Sequence, residues 1–234
     1  MSDVILEVFN LSKTFVEGDS QRLVFSNLNA SIRRGEFVVL LGRSGSGKST
    51  LLNLISGIDL PSGGEVRIGG RNLTGMTEQQ RTLFRRDHIG FVFQFYNLIP
   101  TLNVMENLLL PLELKKSLDA DSQRRALDIL RQVGLEDRSA SYPDRLSGGE
   151  QQRVAICRAL IHNPLVLLAD EPTGNLDAES GREVLTLLDQ LIRKGRMTTL
   201  MVTHSAEVAR LADRVITIKD GGLVETAAST EAVR

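Results

Sequence analysis

A single cysteine, Cys157, stands among the 234 residues. No intramolecular disulfide can form, and a reducing compartment is the simpler expectation. An excess of one charge sign is also missing. Lys+Arg 28 against Asp+Glu 29 gives a net charge of −1, without the global basic surplus that marks many nucleic-acid binders. No apolar run approaches the roughly 18 residues that carry a helix across a bilayer. The first residues, Met1-Ser2-Asp3-Val4, lack the basic stretch and apolar core of a secretory signal, so none is expected. There is no internal repeat and no low-complexity segment. What remains is 41% hydrophobic and 24% charged, an ordinary globular composition. The length suits one large α/β domain or two small ones.

Short apolar runs separated by turn-prone residues predict strands over 4–9 and 28–32. Residues 37–41, Phe-Val-Val-Leu-Leu, are continuously apolar and end in glycine. Such a strand is buried on both faces, as in a parallel sheet. Leu51, Leu52, Leu54, Ile55 and Ile58 then recur at helical spacing. Glycines flank a short strand over 65–68. From about 77 to 163 the pattern turns to helix and loop, with helices predicted over 77–86 and 122–133, a polar loop over 137–145 and a helix from near Gly149. Strand signals return over 165–169, 198–202 and 214–218. Lys219-Asp220-Gly221-Gly222 reads as a hairpin turn. The pattern predicts an α/β core interrupted by a helical insertion, with both termini in the core.

The strongest local signal is Gly42-Arg43-Ser44-Gly45-Ser46-Gly47-Lys48-Ser49-Thr50. It fits G-x-x-x-x-G-K-[ST] between a predicted strand and a predicted helix. Glycines let the backbone approach a polyphosphate, and the helix N-terminus adds a favourable dipole. Lys48 is expected to reach the β- and γ-phosphates and Ser49 to ligate Mg²⁺. A flexible glycine turn with a solvated lysine is the plain alternative, and the strand-to-helix context argues against it. The motif alone means nucleotide binding, which many enzyme classes share.

Later residues narrow the class. The apolar strand over 165–169 ends in Asp170-Glu171. A carboxylate at a core strand end can hold Mg²⁺ through water, with Asp170 the candidate. Glu171 could orient or deprotonate an attacking water. Two solvated surface acids are the alternative reading. Leu146-Ser147-Gly148-Gly149-Glu150-Gln151-Gln152-Arg153 places a hydroxyl and two glycines before an apolar helix, a second anion site or a simple N-cap. Gln94 could add a Mg²⁺ ligand and sense the γ-phosphate; without the other motifs it would read as a surface glutamine. His204, at the end of the predicted strand over 198–203, could contact that phosphate and the water; a surface or packed histidine is the alternative. His88 and His162 read as packed or surface residues, and Cys157 as a small core residue.

Taken together, these residues resemble the ABC-transporter ATPase family. The signature over 146–153 is the decisive match. The phosphate loop, Gln94, Asp170-Glu171, Asn175-Leu176-Asp177 and His204 supply the other family elements in order. The resemblance covers nearly the whole chain. It implies a P-loop (RecA-like) α/β ATPase core with an N-terminal antiparallel β-subdomain. The core would take in 1–94 and 164–234, and an inserted helical subdomain over 95–163 would carry the signature.

The resemblance further implies that two copies meet head to tail with two ATP molecules between them. The phosphate loop of one would face Ser147, Gly148 and Gly149 of the other, and Asp177 would communicate across the interface. Phe15, in Leu-Ser-Lys-Thr-Phe over 11–15, matches the position of an aromatic ring against adenine; a buried strand-end aromatic is the alternative. Glu171, His204 and Lys48 would be catalytic, with Mg²⁺ held by Ser49, Gln94 and, through water, Asp170. Arg43 departs from the commoner proline or small residue.

Stretches 91–102 and 170–177 look like the lipoprotein-release and macrolide-export ATPases, a group that also includes a cell-division ATPase. The partners implied are a second copy and an integral-membrane permease, with no nucleic acid. The location implied is cytoplasmic, attached to the inner face of the cell membrane through the permease. Apolar Phe95, Leu98, Ile99 and Leu102 suggest where a permease docks; a place in the core of the helical subdomain is the alternative for some of them. Control of a cell-wall machine and a non-transport ABC role on ribosomes or DNA are the competing readings. The single motif set and the lack of a long coiled coil weigh against the last.

Overall fold

A computed structural model describes residues 3–18, 20–43, 45–219 and 221–226. Among these described residues, ten strands form two sheets: β1 (Val4–Glu17), β2 (Ser20–Arg33), β3 (Phe37–Leu41), β4 (Gly63–Ile68), β5 (Arg71–Asn72), β6 (Ile89–Val92), β7 (Val166–Asp170), β8 (Thr199–Thr203), β9 (Arg214–Lys219) and β10 (Gly222–Thr226). The helices are α1 (Lys48–Ile55), α2 (Glu78–His88), α3 (Val104–Leu114), α4 (Ser122–Gln132), α5 (Gly148–Leu160), α6 (Ala178–Gly195) and the single turn α7 (Ala206–Ala209). One sheet is antiparallel, ordered β2-β1-β4-β5. The other runs β10-β9-β3-β8-β7-β6, parallel except for the β9–β10 hairpin. This is the expected α/β core with an N-terminal antiparallel sheet.

Strand β3 shows why the layers hold. All five of its residues are buried. Val38 and Leu40 face a core shared with the antiparallel sheet and with Leu51, Leu52, Leu54 and Ile55 of α1. Phe37, Val39 and Leu41 face the opposite side, against Val184, Leu185, Leu188 and Ile192 of α6. The period-two alternation of a strand thus joins two apolar layers. A third core holds Val104 and Leu108 of α3, Ala126 and Leu130 of α4, and Val154 and Cys157 of α5. The expected role of Cys157 as a small core residue holds: it is fully buried.

Several boundaries differ from expectation. β1 and β2 each run for 14 residues, well beyond 4–9 and 28–32. Gly63 and Gly64 lie inside β4, not outside it. Thr77 caps α2 from outside, accepting a hydrogen bond from the Gln80 amide. Three helices that the apolar pattern did not single out, α3, α6 and the single turn α7, are present. The turn over 219–222 keeps its flanks, with Lys219 paired to Gly222; Asp220 lies outside the described residues.

Candidate functional site

The carboxyl ends of the parallel strands gather the candidate residues, where ligands bind in open α/β sheets. Register does the gathering. Leu41 pairs with Thr203, which sets Gly42 beside His204. Asp170 pairs with Val202, and Val92 with Ala169. Gln94, Asp170, Glu171 and His204 therefore come from three neighbouring strands at one sheet edge, opposite the loop that leaves β3.

That loop is shaped by close backbone approach. A Cβ on Gly42 would lie 2.5 Å from Ser46 Oγ. Gly47 has φ +93°, where an L side chain is strained, and a Cβ there would meet the Phe25 ring at 2.7 Å and Val24 at 2.8 Å. β2 thus backs the turn into α1, a long-range contact that local patterning does not reveal. Lys48 is buried; its Nζ donates to Gly42 O at 2.8 Å and Arg43 O at 3.1 Å and lies 3.8 Å from Glu171 Oε1. The Ser46 hydroxyl is buried and, among the described residues, has no hydrogen-bond partner. An orphaned hydroxyl inside a glycine cradle fits an anion with several oxygens. Thr50 follows on α1, Arg43 and Gly45 are exposed, and Ser44 lies outside the described residues.

Across from the loop, Asp170 is hydrogen-bonded to the Ser49 hydroxyl. Burial raises its pKa above the ordinary value of 3.8, the Ser49 bond lowers it, the Glu171 charge raises it further and Lys48 lowers it. Glu171 has φ +44°. Most other non-glycine residues with positive φ are asparagines or helix-end residues; Glu171 instead ends a core strand. For a residue of this type the conformation costs roughly 1 kcal/mol or more, and such outliers cluster at functional sites. Its amide donates to Val202 O at 2.9 Å, and its Oε2 lies 2.9 Å from His204 Nδ1.

Gln94 and Asn175 clasp each other. Gln94 Nε2 donates to Asn175 Oδ1 at 3.2 Å, and Asn175 Nδ2 donates to Gln94 O at 3.0 Å. Gly174 permits this, since a Cβ there would sit 2.8 Å from Gln94 Nε2. Ser147 is an exposed N-cap in a reciprocal capping box. Its Oγ accepts from the Glu150 amide at 3.3 Å, and Glu150 Oε2 accepts from the Ser147 amide at 2.7 Å. The cap uses one lone pair of the hydroxyl oxygen and leaves its proton able to serve an anion. A Cβ on Gly148 would lie 2.7 Å from the Tyr96 hydroxyl, and one on Gly149 would lie 3.4 Å from Ser180. The signature turn therefore neighbours Tyr96, Leu176 and Ser180, whereas the phosphate loop neighbours Asp170, Glu171 and β2. Asp177 caps α6, accepting from the amides of Glu179 and Ser180 at 3.1 and 3.0 Å.

Phe15 is half-buried on β1 and pairs with Arg22. Lys13 Nζ sits 4.7 Å from its ring centre, held by Asp59 at 2.7 Å and by Leu60 O at 2.8 Å. In the segment after Gln94, Phe95 is 69% and Ile99 37% exposed, while Leu98 packs on the third core. Gln152, part of the signature but given no role from sequence, is fully buried beneath the site.

The sequence profile described as ABC transporter matches residues 25–174. An uncharacterized ABC transporter ATP-binding protein of Mycobacterium tuberculosis is 54% identical over 220 residues, covering 94% of this chain and 89% of that protein. The lipoprotein-releasing system ATP-binding protein LolD of Psychrobacter arcticus is 43% identical over 93% of this chain and 96% of its own length. The macrolide export ATP-binding/permease protein MacB of Vibrio parahaemolyticus is 42% identical over all of this chain, which spans 36% of that longer protein. Among solved structures, a dimer of the ATP-binding cassette MJ0796, described as a post-hydrolysis state bound to ADP and Pi, superposes with a TM-score of 0.86 at 41% identity. It covers 96% of this chain and 99% of its own.

Proposed function

Because the chain belongs to the ABC transporter family, as an ATP-binding subunit that hydrolyses ATP, we propose that it drives a membrane permease by closing head to tail on a second copy of itself around two ATP molecules. One arrangement carries this reading: the Glu171 carboxylate lies between Lys48 and His204, beside the Ser49–Asp170 pair and the glycine cradle with its unpartnered Ser46 hydroxyl.

Each residue acts from its observed place. Lys48 exchanges its carbonyl partners for β- and γ-phosphate oxygens. Backbone amides of residues 42–50 and the α1 dipole hold the rest of the polyphosphate. The Ser49 hydroxyl, the Gln94 amide oxygen and, through water, Asp170 form an all-oxygen set suited to Mg²⁺. When bound, that ion neutralises charge developing on the phosphates. Glu171 positions the attacking water and takes its proton, and His204 holds the carboxylate. Ser147, Gly148 and Gly149 of the second copy meet the γ-phosphate, Asp177 contributes at the interface, and Phe15 stacks on adenine. Most of the catalytic effect then comes from positioning and preset charge. Closure performs mechanical work because ATP favours the closed state over the open one.

The helical unit over 95–163, set against 1–94 and 164–234, has support in the separate core of α3, α4 and α5. The exposed Phe95 and Ile99 suit an apolar permease helix. Among the described residues no helix is long and apolar enough to cross a membrane, so attachment at the inner face of the cell membrane runs through that permease. Similarity to LolD and MacB favours lipoprotein release or drug and peptide export.

The test is Glu171→Gln. ATP binding should persist, hydrolysis should fall about 100-fold or more, and an ATP-bound dimer should accumulate on size-exclusion chromatography. Turnover equal to wild type would remove Glu171 from its role.

A further inference from the structure

Gln152 is 0% exposed, and a primary amide is stable in such a place only if paired. It lies on α5, the helix that starts beside Ser147. Its Nε2 donates to two main-chain oxygens from distant parts of the chain, Pro172 O at 2.7 Å and Phe93 O at 3.3 Å. Both acceptors are carbonyls, so the amide nitrogen must face them, and the orientation of the side chain is fixed by chemistry. The other end, Oε1, is buried and, among the described residues, has no hydrogen-bond partner.

The positions of those acceptors give the contact its meaning. Phe93 O belongs to the peptide group that carries the Gln94 amide. Pro172 immediately follows Glu171, whose backbone is held at φ +44°. One side chain thus ties three elements together: the helix behind the signature turn, the strand end that presents Gln94, and the turn that presents Glu171. Leucine or methionine would fill the same volume without an orphaned oxygen. A purely space-filling role therefore leaves both the amide and its unpartnered acceptor without a reason.

We propose that Gln152 is a positioning residue that transmits engagement of the Ser147 turn to Gln94 and Glu171 of the same chain. Contact of that turn with nucleotide on a second copy displaces the N-terminal end of α5. Gln152 carries the displacement to the two carbonyls and draws the hydrolytic carboxylate into register. This rests on the ATPase reading above and adds a connection within one chain to the contacts between copies.

The experiment compares Gln152→Met with wild type. Affinity for a fluorescent ATP analogue should stay within about twofold, because the phosphate loop is untouched, while kcat should fall about 10-fold or more. Gln94→Ala combined with Gln152→Met should lose less than the product of the single losses, since both act through one network. Val154→Ala, on the same helix in the third core, controls for destabilisation and should keep kcat per folded molecule. If Gln152→Met does not fold, Gln152→Glu replaces it. Its carboxyl can donate to Pro172 O only when protonated, so its activity relative to wild type should recover as the pH is lowered. Unchanged kcat, strictly multiplicative losses, an equal loss in Val154→Ala, or a flat pH ratio for Gln152→Glu would each overturn the proposal. Absence of ATPase activity in the wild type would instead remove the underlying reading, and this proposal with it.

Discussion

His204 Nδ1 lies 2.9 Å from Glu171 Oε2, while Lys48 Nζ lies 3.8 Å from the other carboxylate oxygen. One carboxylate is therefore oriented from both sides, by a buried amine and by a largely exposed imidazole. The two supports differ in consequence. Lys48 also belongs to the loop proposed to hold the phosphates, so in that reading its loss should remove binding. His204 comes from the end of β8 and touches the carboxylate alone among these groups.

Replacing His204 with alanine should consequently separate the two functions. We expect kcat to fall by about 10- to 100-fold with ATP affinity changed by less than about threefold. Single-turnover hydrolysis beside equilibrium binding of a fluorescent ATP analogue measures both. A loss of affinity as large as the loss of rate would place His204 in nucleotide binding instead.

The phosphate loop was legible because its geometry is local. Glycines at 42 and 47 declare where backbone must come close, Gly45 supplies a positive φ in open space, and the unbroken apolar run over 37–41 declares a strand buried on both faces. β1 and β2 were only partly legible. Their pairing carries register shifts, including one between Val8 and Leu11 beside Asn10 with its positive φ, and these break the alternation that marks a strand. The α6 stripe of Val184, Leu185, Leu188 and Ile192 behind the Asp177 cap has helical spacing and was open to the same reading as α1. What no local pattern contains is the meeting of residues from different strands. The His204–Glu171 contact, the Phe25 ring behind Gly47 and the grip of Gln152 on Phe93 and Pro172 exist only through sheet register and layer packing.

Acid stability should depend on His162. The ring is 7% exposed, its Nε2 lies 3.3 Å from Ile89 O, and its Nδ1 is buried with no partner among the described residues. Burial lowers its pKa from the ordinary 6.5. The Ile89 carbonyl opposes that shift, Lys115 and His88 add to it, and Asp87 opposes it. Below about pH 6.5 the unfolded chain takes up a proton that the folded chain resists, so stability falls as pH falls through that window and is retained above it. Asp170, with its raised pKa, works in the opposite sense and is common to both proteins in the comparison. His162→Asn should therefore lose less stability than wild type between about pH 7.5 and 5.5 in urea unfolding. Parallel pH profiles would show that the histidine is not the group responsible.

The exposed Ser147 separates what one chain does from what two do. Within its own chain the side chain caps α5, and substitution of such a cap costs about 1 kcal/mol, too little to unfold a domain of this size. Its neighbours are Tyr96, Leu176 and Ser180 through the adjacent glycines, not the phosphate loop of the same chain. Ser147→Arg should therefore leave ATP binding by the single chain within about twofold of wild type. In a Glu171→Gln background it should abolish the ATP-dependent dimer, because a bulky cation replaces a hydroxyl where, in the proposed dimer, a second copy closes. Sedimentation velocity with and without Mg-ATP measures this. An undiminished dimer would mean that closure does not pass through the turn that begins α5.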